Sequence, residues 1–386
     1  MGQFLDNTVV NTGKPAVSIV RCKEYSYELV RSSIEHALKP MGGIENYVRP
    51  GDKVLVKPNL LSDSEPEKLV TTNPTVVKAV VDLVKEVGAT PIVGDSPGLA
   101  SLRKAARVAG IEDVVNSTGA QLAEFKNSIP LNNGHIFKNI EVAEELKYCD
   151  KVINLPKLKT HVQMAVTLAI KNMFGCVVGK RKSQWHLMAG MDRRYFATML
   201  VELYQTVKPT LTIMDGIIAM HKEGPQNGEP YPMGMVYATN DAVAMDSAIT
   251  HQIGLPLEKN PILAVAMEKK AGEADLEKIS FPNIHPLDAL AEDFIVPDLS
   301  DLEIGPRIFR TYLRDWLVPK PVTLHPKCTL CNKCIGVCPP DVIEVVDNKI
   351  KINYEKCIRC FCCVEICPEG AMTVHHGLPG RILSRL

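Results

Sequence analysis

Three hundred and eighty-six residues and 42.5 kDa, 46% hydrophobic and 23% charged, give a chain long enough for two or three folding units with buried cores. Disordered, collagen-like and fibrous classes are excluded. Forty-four Lys and Arg balance forty-four Asp and Glu, so no global charge directs the chain to nucleic acid or an anionic membrane, and any electrostatic preference is local.

Taken in chain order, strand-like segments run over Ala16 to Val20, Lys53 to Val56, Pro91 to Val93, Lys151 to Leu155, Leu211 to Met214 and Met235 to Ala238. Helical periodicity marks Tyr27 to Leu38, Thr75 to Val87, Val162 to Phe174, Tyr195 to Thr206 and Asp241 to Gln252. This alternation predicts an α/β fold, a mostly parallel sheet with crossover helices, in which ligands collect at the carboxyl ends of strands. No stretch approaches eighteen uncharged apolar residues; even Val76 to Val87 is interrupted by Lys78, Asp82, Lys85 and Glu86, so no membrane span is expected. Met1 to Pro15 lacks a basic-then-apolar leader layout, and the expected compartment is the cytoplasm.

Nucleotide fingerprints fail. Gly175 to Lys180 is one residue short of a phosphate loop and is followed by Arg181 rather than Ser or Thr, and no Gly-x-Gly-x-x-Gly follows a strand. Polar strand ends remain: Lys57-Pro58-Asn59, Gly94-Asp95-Ser96-Pro97-Gly98, Lys157 to His161, and Asp215-Gly216 leading to His221. Pro58 biases Lys57 toward an extended conformation that aims its amine past the sheet edge. Asp95 and Asp215 have an alternative role in holding turn backbone, and Asp241, at the start of a helix, is read as a cap.

Between Lys151 and Arg194 nine Lys and Arg face a single acid, Asp192, a local charge of 9 − 1 = +8 in a neutral chain, with His161 and His186 in the same window. Combined with Val166, Ile170 and Phe174, this points to a semi-enclosed site for an anionic small molecule. The rival readings are a solvated basic face and a docking patch for an acidic redox partner. Nucleic acid is disfavoured, since few stacking rings interleave with the charges. On the predicted helix from Val162, Thr167 and Lys171 share a face, and a partly buried Lys171 would be able to donate a proton.

Nine of the twelve cysteines fall between Cys328 and Cys367, beyond a Pro-punctuated linker at Val318-Pro319-Lys320-Pro321. Cys328, Cys331, Cys334 and Cys338 recur twenty-nine residues later as Cys357, Cys360, Cys363 and Cys367, and Pro339 recurs as Pro368. Each half reads C-x2-C-x2-C-x3-C-P. Three close thiolates grip one iron-sulfur cubane while the fourth serves the neighbouring one, so Cys328, Cys331, Cys334 and Cys367 are assigned to one 4Fe-4S cluster and Cys357, Cys360, Cys363 and Cys338 to another. Soft thiolates suit iron and sulfide. Paired zinc sites are the rival, although zinc modules use two short hooks rather than three consecutive thiols repeated twice. Cys362 is expected to be a packed neighbour, not a ligand. The segment resembles the bacterial-type two-cluster ferredoxin module at every ligand position.

Further back, Lys57-Pro58-Asn59, Gly94 to Pro97, Pro156 to His161, Thr167 through Lys171-Asn172-Met173-Phe174-Gly175, Asp215-Gly216-Ile217, Gly224-Pro225 and Asp241 to Asp246 resemble the domain-of-unknown-function family numbered 362 over roughly residues 15 to 270. Its members are often joined to ferredoxin modules. The expected division is an α/β part over 1–317, with a bridging stretch about 276–317, and a small α+β ferredoxin-like part over 318–386.

These features support an oxidoreductase in which two clusters pass single electrons to an anionic substrate or cofactor held in the α/β part, with a redox partner protein as donor. His161, Lys171 and His221 are the candidate proton donors, oriented by Asp215; Lys57, Asn59, Asp95, Lys157, Lys159 and Asn172 are the candidate binding residues. A non-catalytic electron carrier and a cluster or metal maturation factor are the alternatives. Oligomeric state is not legible.

Overall fold

The computed structural model describes residues 13–131, 136–137, 140–179, 181–297, 299 and 319–375. Val318, residues 300–317 of the bridging stretch, Lys180 of the basic window and the tail from 376 lie outside them; of the expected linker, Lys320 and Pro321 instead open a strand paired with Val374 and His375.

The α/β part begins with β1 (Val17–Arg21), α1 (Tyr27–Leu38), β2 (Lys53–Pro58), α2 (Pro74–Glu86), β3 (Thr90–Asp95), α3 (Leu102–Val108), α4 (Ile111–Thr118) and β4 (Gln121–Glu124). A small hairpin of β5 (Ser128–Leu131) and β6 (Ile140–Ala143) leads to β7 (Lys151–Leu155), β8 (Lys157–His161), β9 (Ala165–Thr167), α5 (Ala169–Asn172), α6 (Arg181–Ala189) and α7 (Arg193–Val207). The last elements of this part are β10 (Leu211–His221), β11 (Glu229–Tyr231), β12 (Met235–Thr239), α8 (Ala242–Gln252) and α9 (Pro261–Glu268).

The main sheet runs β1-β12-β10-β7-β2-β3-β4. From β10 to β4 the neighbours are parallel, whereas β12 joins β10 and β1 antiparallel at the other edge. Strand alternation feeds two cores: Val54, Val56, Ile153 and Leu155 face α1, α2 and α4, while Leu55 and Val152 face α5, α7, α8 and α9. Helix α2 shows how the sequence builds this. Pro74 occupies its first turn, the Asn73 side chain accepts from Thr75 N at 2.9 Å, and Val76, Val77, Val80, Val81 and Val84 are buried. Each buried valine contributes on the order of 1.5–3 kcal/mol. Asp241 caps α8 as expected, accepting from Val243 N and Ala244 N.

Two expectations fail. The helix predicted over Val162 to Phe174 is instead a hairpin, in which His161 pairs with Ala165 and Lys159 with Thr167, followed by only the short α5. Val162, Val166 and Thr167 are β-branched, and every residue of the stretch but the half-buried Lys171 is buried, so there is no exposed polar face to set an amphipathic period. Thr167 and Lys171 therefore share no helix face. The helix starts where the Asp246 carboxylate accepts from Ala169 N at 2.8 Å and Ile170 N at 3.1 Å. Second, Asp215-Gly216 does not end β10, which continues to His221; Gly216 sits where a Cβ would come within 2.7 Å of the Tyr237 ring.

The C-terminal part comprises β13 (Lys320–Thr323), α10 (Lys333–Val337), β14 (Ile343–Val346), β15 (Lys349–Ile352), α11 (Cys362–Glu365) and β16 (Met372–His375). Here the cysteine repeat becomes a structural one. β13 and β14 recur twenty-nine residues later as β15 and β16, and β13 pairs with β16 while β14 pairs with β15. Left-handed backbone recurs too, at Leu330 and Arg359, Asn332 and Phe361, Asp341 and Gly370. Val162 shares a hydrophobic cluster with Cys334, Val342 and Phe361, so the two parts are in contact.

Candidate functional site

The ends of β2, β3 and β8 meet in a polar layer almost sealed from water. Lys57 and Asp95 form a buried ion pair at 2.9 Å, and Asp95 also accepts from Leu60 N and Ser96 N at 2.7 and 2.9 Å. Gly175 passes directly over this pair: a Cβ there would collide with Asp95 Oδ1, so no other residue fits. Beside it, Lys159 Nζ donates to Asn59 Oδ1 at 2.9 Å and to Val70 O at 2.5 Å. Amides then run in series, Asn59 to Asn172 at 2.8 Å, Asn172 to Asn154 at 2.8 Å and Asn154 to Ala169 O at 3.0 Å. Every amide in this chain is oriented by the next, which fixes the Lys159 ammonium.

Above this layer lies a cavity of about 810 Å3, counting the space at its open mouth. Asn59, Asp95, Lys159, His161, Lys171 and Asn172 line it, joined by Thr167, Phe174, Ser96, Lys182 and His186. The C-terminal part contributes Val337, Cys362, Glu365 and Ile366 to its wall. Burial pushes Lys159 and Lys182 down to about 7, and it also lowers Lys171, opposed by Glu365. His161 Nδ1 accepts from Gln163 N and Met164 N at 3.1 and 3.2 Å, which places the ring proton on Nε2, 3.2 Å from Glu365 Oε1. That contact is close but not aligned as a hydrogen bond. Burial drives Glu365 up to about 7 and His186 down to about 3. Among the described residues Thr167 Oγ1, His186 Nδ1 and Glu365 Oε1 have no hydrogen-bond partner, and all three belong to this cavity's lining. Buried polar atoms left unpaired on one cavity wall fit a polar ligand.

Four expected site residues lie off the cavity. Lys57 sits behind Asp95. Lys157 and Asp215 form their own buried pair at 3.0 Å, with Tyr25 hydroxyl accepting from Lys157 at 2.7 Å and donating to Asp215 at 2.7 Å. Lys157 is thereby neutralised, and Asp215 is an interior residue of β10 that orients no cavity histidine. His221 packs between the Tyr231 and Phe294 rings, with Ile295 N donating to its Nδ1 at 3.3 Å. Most of the basic window is not a solvated face: Lys151, Lys157 and Lys159 are buried and Lys171 and Lys182 line the cavity, whereas Arg181 and Arg194 are exposed and pair with Glu141 and Glu268.

Lys182 and His186, both counted in the basic window, also line the cavity, as do Cys362 and Glu365, which were not placed in the site from sequence. The signal for the last two was a departure from the repeat: Cys362 and Glu365 stand where the first half has Lys333 and Gly336.

Two smaller cavities lie within the cysteine repeat. One, of about 330 Å3, is walled by Cys328, Cys331, Cys334 and Cys367; the other, of about 300 Å3, by Cys338, Cys357, Cys360 and Cys363, with Cys362 beside them. Each thus combines three cysteines of one half with the fourth of the other. Backbone N–H groups of Val342, Arg359 and Ala371 point to the sulfurs of Cys338, Cys357 and Cys367 at 3.5, 3.4 and 3.2 Å. Thiols around an apolar hollow with N–H donors aimed at sulfur are the surroundings a cubane requires. Among the described residues no three His, Cys, Asp or Glu side chains converge on one point as a single metal ion demands.

An α/β sheet joined to a duplicated cysteine cradle defines an iron-sulfur protein of two-part architecture. The chain belongs to the family described as "Domain of unknown function (DUF362)", matched over residues 54–251, and carries a "4Fe-4S dicluster domain" over residues 320–368. It is similar to the "Thylakoid-associated protein sll1697" of Synechocystis sp., 36% identical over 305 residues that cover 78% of this chain and 95% of that protein. The cluster-binding domain supports iron-sulfur electron transfer, and domains of this kind commonly pass electrons to partner proteins. Among the described residues no helix is long and apolar enough to cross a membrane.

Proposed function

We propose that the protein is an oxidoreductase that passes single electrons from two 4Fe-4S clusters to an anionic substrate or second cofactor held in the large cavity. The clusters supply one electron each when bound, one ligated by Cys328, Cys331, Cys334 and Cys367 and the other by Cys338, Cys357, Cys360 and Cys363. The observation that carries the reading is the position of Cys362, which belongs to the walls of both the large cavity and the second cysteine hollow. One residue's thickness separates an electron source from a lysine-lined pocket. Lys159, Lys171 and Lys182 attract the anion, Asn59 and Asn172 set its orientation, Lys171 is placed to give a proton, and His161, held neutral by burial and by Lys171, offers its Nε2 proton as a hydrogen bond. The two functional parts are residues 1–317 and 318–386, and electrons come from a redox partner protein in a reducing compartment, with the cytoplasm as the first assignment.

Anaerobic purification, metal analysis and mass spectrometry of any retained small molecule test this reading. Expected are about eight irons per chain, a bound organic anion, and a change in one cluster's electron paramagnetic resonance signal when sulfate is added. Zinc in place of iron, or two cluster signals indifferent to every anion, would overturn it; the second outcome would leave an electron carrier.

A further inference from the structure

Three lysines line the large cavity, and one of them is unlike the others. Lys159 is tied to Asn59 and Val70, and Lys182 donates to Ser96 O and Pro97 O. Lys171 has no carboxylate partner and no hydrogen-bond acceptor among the described residues; its Nζ lies 5.1 Å from the centre of the Phe174 ring and 5.8 Å from that of Phe196. The two rings attract an ammonium only weakly at these distances; with no carboxylate at ion-pair distance and other cations on the same cavity wall, the charge is costly, and burial lowers its proton affinity. These are the conditions that turn a lysine into an amine nucleophile: an apolar setting next to fixed cations. The tied lysines, each with three N–H donors and no more than two acceptors used, still have a donor to offer a carboxylate.

We propose that Lys171 forms an imine with the carbonyl carbon of a 2-oxo acid whose carboxylate is held by Lys159 and Lys182. The substrate class is thus a small oxo acid, which sharpens the anionic-substrate reading and rests on it. Written from the protonated amine, the step joins Nζ to the carbonyl carbon, breaks the carbon-oxygen bond and releases water made from that oxygen and two of the three ammonium protons. The third proton stays on nitrogen as the iminium. No oxidant or reductant takes part. The positively charged iminium accepts electrons more readily than the carbonyl it replaces, which suits a site one residue from an electron source.

The test uses the full-length holoprotein under anaerobic conditions. It is incubated with pyruvate, in parallel with acetone, in the presence of cyanoborohydride, and then digested for peptide mass mapping; sulfate binding is measured on the same preparation. The expected result is sulfate binding by the native protein, reductive alkylation at Lys171 with pyruvate, much less with acetone, and loss of that adduct in Lys171→Arg. Sulfate binding without a Lys171 adduct would overturn the imine and leave the anionic-substrate reading intact. An adduct without sulfate binding would keep the imine and overturn the anion clamp. Pyruvate-dependent labelling that is no greater at Lys171 than at exposed lysines, or a total that does not fall in Lys171→Arg, would overturn the assignment to Lys171.

Discussion

The two halves of the cysteine repeat share ligand spacing, strand lengths and three left-handed positions, yet their surroundings differ. Cys331 is exposed, whereas its counterpart Cys360 is buried. Helix α10 presents Lys333 and Gly336 to the α/β part; α11 presents Cys362 and Glu365 at the same positions, and these face the large cavity. Duplication preserved the backbone that cradles metal, because that backbone answers to sulfur geometry. The helix surface beyond it differs: Val337 and its counterpart Ile366 both line the pocket, but only the second half adds a thiol and a carboxyl to it, Cys362 and Glu365.

The strongest way to break this asymmetry is to remove one ligand from each half. Cys331→Ala and Cys360→Ala should each lower the iron content to about half, since each leaves a cluster with three thiolates. Only Cys360→Ala should abolish the response of the remaining paramagnetic signal to sulfate. It should also cost more thermal stability, because metal binding is coupled to folding and this half is buried against the larger part. Sulfate sensitivity lost in Cys331→Ala and kept in Cys360→Ala would reverse the assignment of the two halves.

A smaller effect separates α11 from α10 by charge. Glu365→Gln removes an anion from a cavity walled by Lys159, Lys171 and Lys182, and sulfate affinity should rise by roughly fivefold to tenfold, on the order of 1 kcal/mol. Gly336→Ala, at an exposed position where the new Cβ would meet only Leu99 Cδ1 at 4.0 Å, should leave the affinity unchanged by isothermal titration.

Protonation sharpens the same contrast. Lys159 and Lys182 lose their protons near about 7 in the folded chain, chiefly because burial penalises the charged form. Sulfate affinity should therefore be highest below that value and fall as pH rises through it. Glu365 ionises over the same range and acts in the same direction, while His186 stays neutral throughout. Bound sulfate favours the ammonium forms and moves the fall to higher pH. Without ligand the sign for stability is opposite: unfolded lysines keep their protons to about 10.4, so between about 7 and that limit the unfolded chain binds more protons and these two amines add stability as pH rises. An affinity that does not change with pH would remove both lysines from the anion site.

Much of this was legible from the string of residues. Tyr27–Leu38 and Lys151–Leu155 have the bounds that their periodicity and β-branched content predicted. The cysteine spacing repeats at twenty-nine residues in both sequence and backbone. What failed was local period where burial is nearly complete, as at Val162 to Phe174, since a segment covered on almost all sides carries no exposed polar face to set a phase. Charge counting found the lysines but not their partners: Lys57 and Lys157 are neutralised by Asp95 and Asp215, thirty-eight and fifty-eight residues away. Only the tertiary fold separates them from Lys171.

The weakest contrast is the ion pair that holds the first half. Asp63 accepts from Lys333 Nζ at 2.9 Å and from Lys104 Nζ at 2.6 Å, bridging α10 to α3. Lys104 is more than half exposed and Lys333 about a third, so water screens both, and the bridge is worth less than its geometry suggests. Asp63→Asn should cost about 0.5–1 kcal/mol in denaturant unfolding, and the difference should shrink with added salt. Adding Lys333→Met to Asp63→Asn should cost little more, since the pair is already broken. A loss of several kcal/mol that persists in salt would mean that the first half, through Asp63, and not the buried second half at the cavity, fixes how the cluster-binding part is held.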